Sequence, residues 1–421
     1  MRTMTAAALL FASSAGAQAD SPTLFVPHFF SGGATVATFV INSDGTLTPA
    51  DNEPSGIWSL GAALSPDGAT LAVGNAAGTD DGSSTTDDLY LFHVNSDSTL
   101  SLIGVATVPS SPQEMTWLDN DTLAYFRSDL GSSFINAYDV DLETGAITLV
   151  DTVVPGGFGT SLAIDRERGL LFAQDSFGET IFRYAFENDG TLTPAGSVVQ
   201  SSFPLDLALS PDGSLLYTAG GISGNSETIT GFAVNAPSDP TPLTPLPSSP
   251  FITAGDSPAF TAITGDGAYL FVGHGRDATV RGFAINADGS LTSTGAIFDV
   301  GGQGSIGDMT TLGDLLFVTD DDSTDGRGVL VFRVGGEGEL TQIGPKYDTG
   351  TPRPEGDLIA WAPADEPCTA DTNGDGELTP ADFNAWVQAF NTQSPACDQN
   401  GDGLCSPQDF NAWVANFNAG C

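Results

Sequence analysis

The sequence predicts an all-β fold, a seven-bladed β-propeller closed by strands from both ends of the repeat region, followed by a small α-helical domain. Three observations lead to this prediction. A unit of about 49 residues recurs seven times between residues 20 and 362. Short turns rich in Pro, Asp and Gly separate apolar runs within the units. The last 54 residues differ from the rest, since they hold all four cysteines and two stretches with helical periodicity.

Each repeat contains two apolar strands joined by a tight turn. The turns at 65–68, 210–213 and 264–267 read Ser-Pro-Asp-Gly, Ser-Pro-Asp-Gly and Thr-Gly-Asp-Gly. Proline presets φ, aspartate bonds its own backbone and glycine adopts positive φ, as hairpin turns require. A later strand opens on an aliphatic residue in every copy: Leu47, Leu100, Ile147, Leu192, Leu243, Leu291 and Leu340. Seven copies, each long enough for four short strands, indicate seven blades.

The two ends of the repeat region predict how the ring closes. The first copy starts at a second strand, residues 23–26, and lacks a first strand. Residues 357–361, which follow the seventh copy, have the missing pattern. We therefore expect the two ends to share one blade, because this arrangement removes an open sheet edge.

The charge of the chain excludes two classes of partner. The 421 residues include 53 Asp and Glu against 11 Lys and Arg, for a formal net charge of −42. Such an acidic protein repels nucleic-acid phosphates and anionic membrane surfaces. It is nevertheless expected to fold, because 40% of its residues are hydrophobic and it contains 26 Phe, 7 Tyr and 5 Trp.

The N-terminus has the pattern of a secretory signal. Arg2 precedes an apolar stretch, and residues 17–19, Ala-Gln-Ala, form a small-x-small cleavage site. We therefore expect a bacterial protein exported to the periplasm, the cell surface or the medium, where cysteines oxidise. The predicted organisation is a signal peptide at 1–19, a propeller at 20–362, a short linker at 363–367 and a C-terminal domain at 368–421.

Ligands of propellers usually bind near the axis, on the face that carries the links between blades. The second strands of the seven blades end there at His28, Asn75, Arg127, Asp175, Gly220, His274 and Asp320. The starts of the inner strands add Glu114, Ser161, Asp206, Asp308 and Asp357. The candidate site residues taken from these two sets are His28, Arg127, Asp175, Asp206, His274 and Asp320.

A catalytic interpretation gives these candidates distinct roles. A histidine would serve as general base, Arg127 as a clamp for an anion or oxyanion, and Asp175 as the orienting group. The alternative is a solvated mouth or a protein-binding face, because polar residues at strand ends need no functional explanation.

The Leu-Ser-Pro-Asp-Gly repeats and the seven-unit count resemble the lactonase-type seven-bladed propellers, the group of 6-phosphogluconolactonase-like and YVTN-repeat proteins. The resemblance covers roughly residues 22–362 and implies the fold more strongly than the activity. It implies an extracellular lactonase or related hydrolase with its site at the central mouth. The family's Pro-Arg-His-type segment and Asn-Glu pair correspond here to Pro-Leu-Asp at 204–206 and Ala-Gly at 219–220, so no catalytic residue transfers.

The strongest motif in the chain lies in its tail. Two twelve-residue segments, 371–382 and 398–409, start 27 residues apart and fit the spacing of an EF-hand calcium loop. Both have oxygen-bearing side chains at positions 1, 3, 5, 9 and 12, a glycine at position 6 and a backbone carbonyl at position 7. The predicted ligands of two Ca²⁺ ions are Asp371, Asn373, Asp375, Glu377, Thr379, Asp382, Asp398, Asn400, Asp402, Leu404, Ser406 and Asp409.

Each calcium loop runs into a predicted helix. Thr379 and Ser406 are the expected N-caps, each followed by a proline. Two apolar stripes should pack together: Phe383, Trp386, Val387 and Phe390 in the first helix, and Phe410, Trp413, Val414 and Phe417 in the second.

This tandem of loop and helix resembles a type I dockerin over about residues 368–421. The resemblance implies folding by calcium and attachment to a protein partner. Positions 10 and 11 of the two loops are Pro-Ala and Pro-Gln rather than the usual Ser/Thr pair, which argues against cohesin as that partner.

The four cysteines also depart from the dockerin pattern and allow three disulfide connectivities: Cys368, Cys397, Cys405 and Cys421. Cys405 occupies the loop position that Leu378 occupies in the first loop, so we expect it to be buried and bonded.

These features favour a secreted propeller used for binding or scaffolding, attached to a partner through its calcium-folded tail. Its propeller mouth would then bind a small molecule or a carbohydrate. The first alternative is an extracellular lactonase or related hydrolase acting at the propeller mouth. The second is a structural interaction module of a cell-surface assembly.

Overall fold

The computed structural model describes residues 19–75, 86–109, 112–129, 132–200, 203–220, 227–301, 306–321, 327–363, 369–373, 378–400 and 403–419. Residues 1–18 of the predicted signal peptide and residues 364–367 of the predicted linker lie outside these ranges. So do Cys368, Cys421 and three predicted calcium ligands, Asp375, Glu377 and Asp402. The chain divides into two compact units, Met1–Pro363 and Ala364–Cys421.

Seven antiparallel sheets, one per blade, make up the described part of the first unit. The first three blades include β1 (Thr23–Pro27), β2 (Ala34–Ile41), β3 (Leu47–Gly56); β4 (Ser59–Leu64), β5 (Thr70–Asn75), β6 (Thr86–Val94), β7 (Leu100–Pro109); and β8 (Pro112–Trp117), β9 (Thr122–Asp129), β10 (Ser132–Val140), β11 (Ile147–Val153). The next two contain β12 (Gly159–Asp165), β13 (Leu170–Asp175), β14 (Thr180–Phe186), β15 (Leu192–Val199); and β16 (Asp206–Leu209), β17 (Leu215–Ala219), β18 (Thr228–Val234), β19 (Leu243–Pro245), β20 (Phe251–Ile252). The last two contain β21 (Pro258–Ile263), β22 (Tyr269–His274), β23 (Thr279–Ile285), β24 (Leu291–Asp299); and β25 (Ile306–Leu312), β26 (Leu315–Asp320), β27 (Gly328–Val334), β28 (Leu340–Gln342).

A strand from the far end of the propeller completes the first blade. This strand, β29 (Ile359–Trp361), pairs antiparallel with β1, and its register sets Leu24 opposite Ala360 and Phe25 opposite Ile359. The sheet order is therefore β29-β1-β2-β3. The predicted seven-bladed propeller and its closure by strands from both ends are confirmed, and the inner edge of the first blade is covered.

The hydrophobic core lies between neighbouring blades. One buried cluster joins Ala72 and Leu91 of the second blade to Trp117 and Tyr125 of the third. The indole nitrogen of Trp117 donates a hydrogen bond to the backbone oxygen of Ala63 at 3.0 Å. The apolar part of this buried ring is therefore packed, and its N–H group has an acceptor. Successive side chains of a strand point to opposite faces of the sheet. Because a neighbouring blade covers each face, apolar side chains are needed on both.

The Pro-Asp-Gly turns form as the sequence predicts. In the turn of the second blade, an Asp67 carboxylate oxygen accepts hydrogen bonds from the Ser65 hydroxyl at 2.6 Å and from the Ala69 N–H at 3.0 Å. Gly68 has φ +73°, and a Cβ there would lie 2.2 Å from the Trp361 side chain. The turn therefore needs glycine for its backbone conformation and for the space that Trp361 takes.

The second unit contains two α-helices, α1 (Pro380–Thr392) and α2 (Pro407–Ala419), with a short 3-10 helix (Pro395–Cys397) between them. Thr379 caps α1 in a reciprocal capping box with Asp382. The apolar stripes face each other, with ring centroids of Phe383 and Trp413 separated by 5.3 Å. Cys397 and Cys405 form a disulfide. No helix in the described part of the chain is long and apolar enough to cross a membrane.

The packing between blades can be tested at Trp117. We expect Trp117→Ala to lower the free energy of unfolding by about 3–5 kcal/mol, because it removes a fully buried ring and opens a cavity between two blades. Urea unfolding followed by circular dichroism measures this change. Ile297→Ala is the control: its side chain is 59% exposed, so the cost should stay within about 0.5 kcal/mol. Equal costs for the two variants would contradict this account of the core.

Candidate active site

A cavity of about 330 Å³ lies where the inner strands of all seven blades converge. Its walls come from the starts of these strands and from the links that lead into them. The lining residues are Leu60, Gln113, Glu114, Phe158, Gly159, Thr160, Leu205, Asp206, Ala259, Phe260, Gly307, Asp308, Glu355 and Asp357. Because every blade contributes, the cavity lies on the propeller axis, where propellers commonly bind ligands.

One position of the inner strand brings most of the charge to this cavity. Around the ring, this position is occupied by Gly61, Glu114, Ser161, Asp206, Phe260, Asp308 and Asp357. Four of the seven are therefore acidic. We call Glu114, Asp206, Asp308 and Asp357 the axial carboxyl groups. In the described ranges, no three acidic, histidine or cysteine side chains are placed closely enough to hold a metal ion.

Each axial carboxyl group is hydrogen-bonded to the inner strand of the following blade. The Asp357 carboxylate accepts the Ala62 N–H at 2.8 Å, and the Asp206 carboxylate accepts the Thr261 N–H at 2.7 Å.

Asp308 and Glu114 repeat this pattern. Asp308 accepts the Leu358 N–H at 2.6 Å, and Glu114 accepts the Leu162 N–H. The donor is in every case the residue directly after the ring position of the next blade. The axial carboxyl groups therefore fasten neighbouring blades together around the cavity.

The environment raises the pKa values of these groups. Burial raises the pKa of Asp308 to about 7, although the Leu358 N–H opposes this shift. Burial raises the pKa of Asp357 well above its ordinary range, and the nearby charge of Asp308 adds to the effect. For Glu114, burial and then the charge of Asp357 act in the same direction. Burial and mutual charge therefore raise the pKa values of Glu114 and Asp357, and Asp308 titrates near neutral pH.

Asp206 is held by more hydrogen bonds than the other axial groups. One carboxylate oxygen accepts from the Ser161 hydroxyl at 3.2 Å and from the Leu207 N–H at 2.8 Å. The other accepts from the Thr261 hydroxyl at 2.6 Å as well as from the Thr261 N–H. Burial raises its pKa, and these donors counteract part of the rise.

The candidates at the ends of the second strands occupy a different place. His28 is buried, its Nδ1 lies 2.8 Å from the Thr35 backbone oxygen, and burial lowers its pKa to about 4. His274 is also buried, with Nε2 2.9 Å from the Thr253 hydroxyl, and burial lowers its pKa. Both imidazoles are neutral near pH 7, and their hydrogen bonds join adjacent strands or loops.

The remaining candidates hold loops and neighbouring side chains. Asp175 accepts the backbone N–H groups of Phe158 at 2.8 Å and Gly178 at 3.0 Å. Asp320 pairs with the Lys346 ammonium at 2.6 Å. The Arg127 guanidinium lies 4.5 Å from the centroid of the Phe134 ring. Of the six sequence candidates, only Asp206 lines the axial cavity.

Sequence reasoning identified the axial carboxyl groups as residues around the mouth but selected only Asp206 from them as a candidate. The signal that distinguishes them is the recurrence of an acidic residue at one inner-strand position in the first, third, fifth and seventh blades. Glu355, Phe158 and Phe260 were missed altogether, because they lie in links or stand where other blades have polar residues. Burial raises the pKa of Glu355, and its ion pair with Arg353 opposes the rise.

Comparison with known proteins supports the lactonase resemblance. Residues 173–308 match the family model described as Lactonase, 7-bladed beta-propeller. This part of the propeller is therefore similar to the lactonase family. No match was found among curated protein sequences.

Two solved structures illustrate the structural similarity. A candidate 6-phosphogluconolactonase from Bacteroides uniformis is 17% identical, with a TM-score of 0.66, covering 81% of this chain and 100% of its own. The periplasmic gluconolactonase of Pseudomonas aeruginosa is 20% identical, with a TM-score of 0.64, covering 82% of this chain and 99% of its own. At these identities the similarity establishes the fold.

These findings correct the leading hypothesis from the sequence. A binding or scaffolding propeller attached through a dockerin-like tail is wrong as the main function, because the family match and the structural relatives favour the lactonase alternative. The earlier inference treated missing family motif residues as a lack of catalytic groups. The axial cavity contains titratable groups of its own, contributed by other positions of the repeat.

The raised pKa of Asp308 predicts a particular dependence of stability on pH. The folded protein holds this proton more tightly than the unfolded chain, in which the pKa is near 3.8. The stability that protonation contributes is therefore complete below pH 3.8 and is lost as the pH rises to about 7. Asp308→Asn cannot titrate but still accepts the Leu358 N–H. We expect the free energy of unfolding to fall less steeply across this window in the variant, as measured by urea unfolding at a series of pH values.

Asp288→Asn is the matched control for this experiment. Hydrogen bonds from the Ser290 side chain and backbone lower the pKa of Asp288, so its contribution is lost only as the pH falls below the ordinary value of 3.8. Its slope above that value should equal the wild-type slope. If Asp308→Asn also kept the wild-type slope, the assigned titration of Asp308 would be wrong.

Proposed function

We propose that this protein is an extracytoplasmic lactonase that hydrolyses the cyclic ester of a small hydroxy acid in the axial cavity. The observation that carries the proposal is the set of carboxyl groups around that cavity: Asp308 has a pKa of about 7, and burial raises the pKa values of Glu114 and Asp357. Raised carboxyl pKa values within one pocket allow combined acid and base catalysis. The lactonase type of the propeller supports the choice of substrate class.

Asp308 is the proposed general base. Its carboxylate lines the cavity, and a pKa of about 7 leaves a large ionised fraction at neutral pH while keeping the group basic. It would accept a proton from water as the water oxygen attacks the ester carbonyl carbon. The Leu358 N–H holds one carboxylate oxygen at 2.6 Å and fixes the orientation of the group.

Glu114 and Asp357 are the proposed acids. The tetrahedral intermediate collapses by breaking the bond between the carbonyl carbon and the ring oxygen, and the departing alkoxide needs a proton. Both groups line the cavity, and their raised pKa values favour the protonated form that can supply it. A protonated carboxyl group can also donate a hydrogen bond to the oxyanion. The overall reaction is lactone plus water to hydroxy acid, with no further reactant.

The cavity favours an uncharged lactone. No Lys, Arg or His appears among its described lining residues, whereas five carboxyl groups do. A phosphorylated or carboxylated substrate would meet like charge there without a compensating cation. Carboxyl and carboxylate oxygens are instead suited to the hydroxyl groups of a neutral sugar lactone.

For the tail, we propose calcium binding at the two predicted loops. The residues fit this ion: Asp382 and Asp409 are buried, and each accepts backbone N–H groups from its own loop, including Thr379 at 2.8 Å and Ser406 at 2.7 Å. The side chain of Asp371 is hydrogen-bonded to that of Asp382. No Lys, Arg or His occurs between residues 365 and 421, so a bound cation would supply the compensating positive charge. A protein partner for this tail stays a sequence prediction.

Export agrees with both proposals. The predicted signal peptide directs the chain out of the cytoplasm, and the disulfide between Cys397 and Cys405 suits an oxidising compartment. Calcium loops of this kind function where the ion is abundant. We therefore propose a periplasmic, surface or extracellular location.

Removal of the base should abolish most of the activity. We expect Asp308→Asn to lower kcat for glucono-1,5-lactone by about 10²- to 10⁴-fold. In the wild type, kcat/KM should rise as the pH passes about 7, because the carboxylate is the active form. Initial rates corrected for uncatalysed hydrolysis measure both effects. Asp288→Asn, on an exposed turn, should keep wild-type activity. Full activity in Asp308→Asn would remove Asp308 from the mechanism.

Calcium binding can be counted directly. Isothermal titration of the full chain should show two Ca²⁺ ions per molecule, and Asp371→Ala and Asp398→Ala should each remove one, because each deletes the first ligand of a loop. Asp44→Ala, at an exposed propeller turn, should leave both sites intact. Absence of binding at millimolar Ca²⁺ would refute the calcium assignment.

A further inference from the structure

Three phenylalanine rings lead from the axial cavity to the surface. Phe158 lines the cavity, its ring centroid lies 5.2 Å from that of Phe177, and Phe177 lies 5.4 Å from Phe203. The Phe177 side chain is 62% exposed, which is costly for so large an apolar group. The cavity and the aromatic surface are continuous, because Phe158 belongs to both.

Asp175 joins the backbone segments that carry Phe158 and Phe177. Its carboxylate accepts the N–H groups of Phe158 and Gly178, which ties the start of β12 to the turn that carries Phe177. A Cβ on Gly157 would lie 2.0 Å from the same carboxylate, so the backbone approaches it closely. The Ser176 hydroxyl also donates to the Pro204 backbone oxygen, next to Phe203. Hydrogen bonds of Ser176 and Gly178 therefore hold the backbone on both sides of Phe177, which lowers the entropic cost of binding against its ring.

The size of the cavity limits what it can hold. About 330 Å³ is near the lower end of the range for small-molecule sites, so the cavity suits a single sugar-sized ring. A larger substrate must extend along the path that begins at Phe158. The next surface on that path is the exposed face of Phe177.

We infer that Phe158, Phe177 and Phe203 form a subsite for a glycosyl substituent, so that the preferred substrate is the lactone of a disaccharide aldonic acid. This inference rests on the proposed lactonase function. The lactone ring would lie among the axial carboxyl groups, and the second sugar would pack the C–H groups of one face against Phe177. Its hydroxyl groups remain in water or face the carboxyl oxygens of the cavity.

The geometry of the rings favours a sugar over an alkyl chain. Adjacent rings are tilted by 36° and 57°, so they present separate flat faces rather than one closed apolar groove. A pyranose matches a single exposed aromatic face, whereas a chain needs enclosure to bury its full area. Contacts made far from the reacting carbon can contribute to kcat as well as to binding.

The test compares cellobiono-1,5-lactone with glucono-1,5-lactone on the full-length protein. We expect kcat/KM to be about tenfold higher for the disaccharide lactone, and Phe177→Ala to remove this preference while sparing the monosaccharide lactone. Phe177→Tyr should retain the preference, because it keeps the aromatic face. Leu149→Ala, which shortens a similarly exposed side chain on β11, should leave both rates unchanged.

Three results would overturn the subsite. They are equal kcat/KM for the two lactones, a preference that survives Phe177→Ala, and a stronger Phe177-dependent preference for an alkyl-substituted lactone such as γ-decalactone. If the wild type hydrolyses no lactone, the proposed function fails, and calorimetric binding of cellobiose against glucose still decides the subsite. Tighter binding of cellobiose that is lost in Phe177→Ala supports it, and equal binding refutes it.

Discussion

The inner strands of this propeller meet around an axis where backbone N–H groups of one blade point toward the blade before it. Four of these donors, on Ala62, Leu162, Thr261 and Leu358, are bound by carboxyl groups at one repeated position. A buried N–H without an acceptor is costly, and a buried carboxyl group without a donor is also costly. Each satisfies the other, and the ring of blades closes around the cavity that remains.

The same arrangement gives the cavity its chemistry. Carboxyl groups that were brought together to join blades repel one another and lie away from bulk water, so their pKa values rise. In the proposed mechanism, structural and catalytic demands therefore fall on the same side chains. The cavity has titratable groups of its own, although the segments that correspond to the lactonase motifs read Pro-Leu-Asp and Ala-Gly here. Conversely, the two buried histidines, which the catalytic interpretation of the sequence considers as general bases, serve as hydrogen-bonding groups within the scaffold.

The acidic composition has a local cause at many turns. Asp44 accepts both the N–H and the hydroxyl of Thr46, and Asp97 and Asp288 make the same pair of bonds with Thr99 and Ser290. These hydrogen bonds lower the pKa of each aspartate. Such aspartates are ionised at neutral pH, and they occur at these positions because the turn requires a hydrogen-bond acceptor. The large negative charge thus combines turn chemistry, repeated blade after blade, with the separate acidic loops of the tail.

Local signals were sufficient for the architecture. Turn tripeptides, strand periodicity and a repeat near 49 residues predict the seven blades and their closure. Capping residues and apolar stripes predict the two helices of the tail. These signals can be identified in the sequence because most of them act within one repeat or one helix. The sequence predicted only part of the site. Aligning the repeats placed the inner-strand acids around the mouth, but only Asp206 was chosen from them as a candidate site residue. That Asp308 titrates near neutral pH while His28 stays neutral depends on burial and on charges contributed by other blades. Phe177 and Phe203 are more than 20 residues apart, and their contact arises only when a loop of the fourth blade packs against the link to the fifth. The cavity that they adjoin forms only when all seven blades close into a ring.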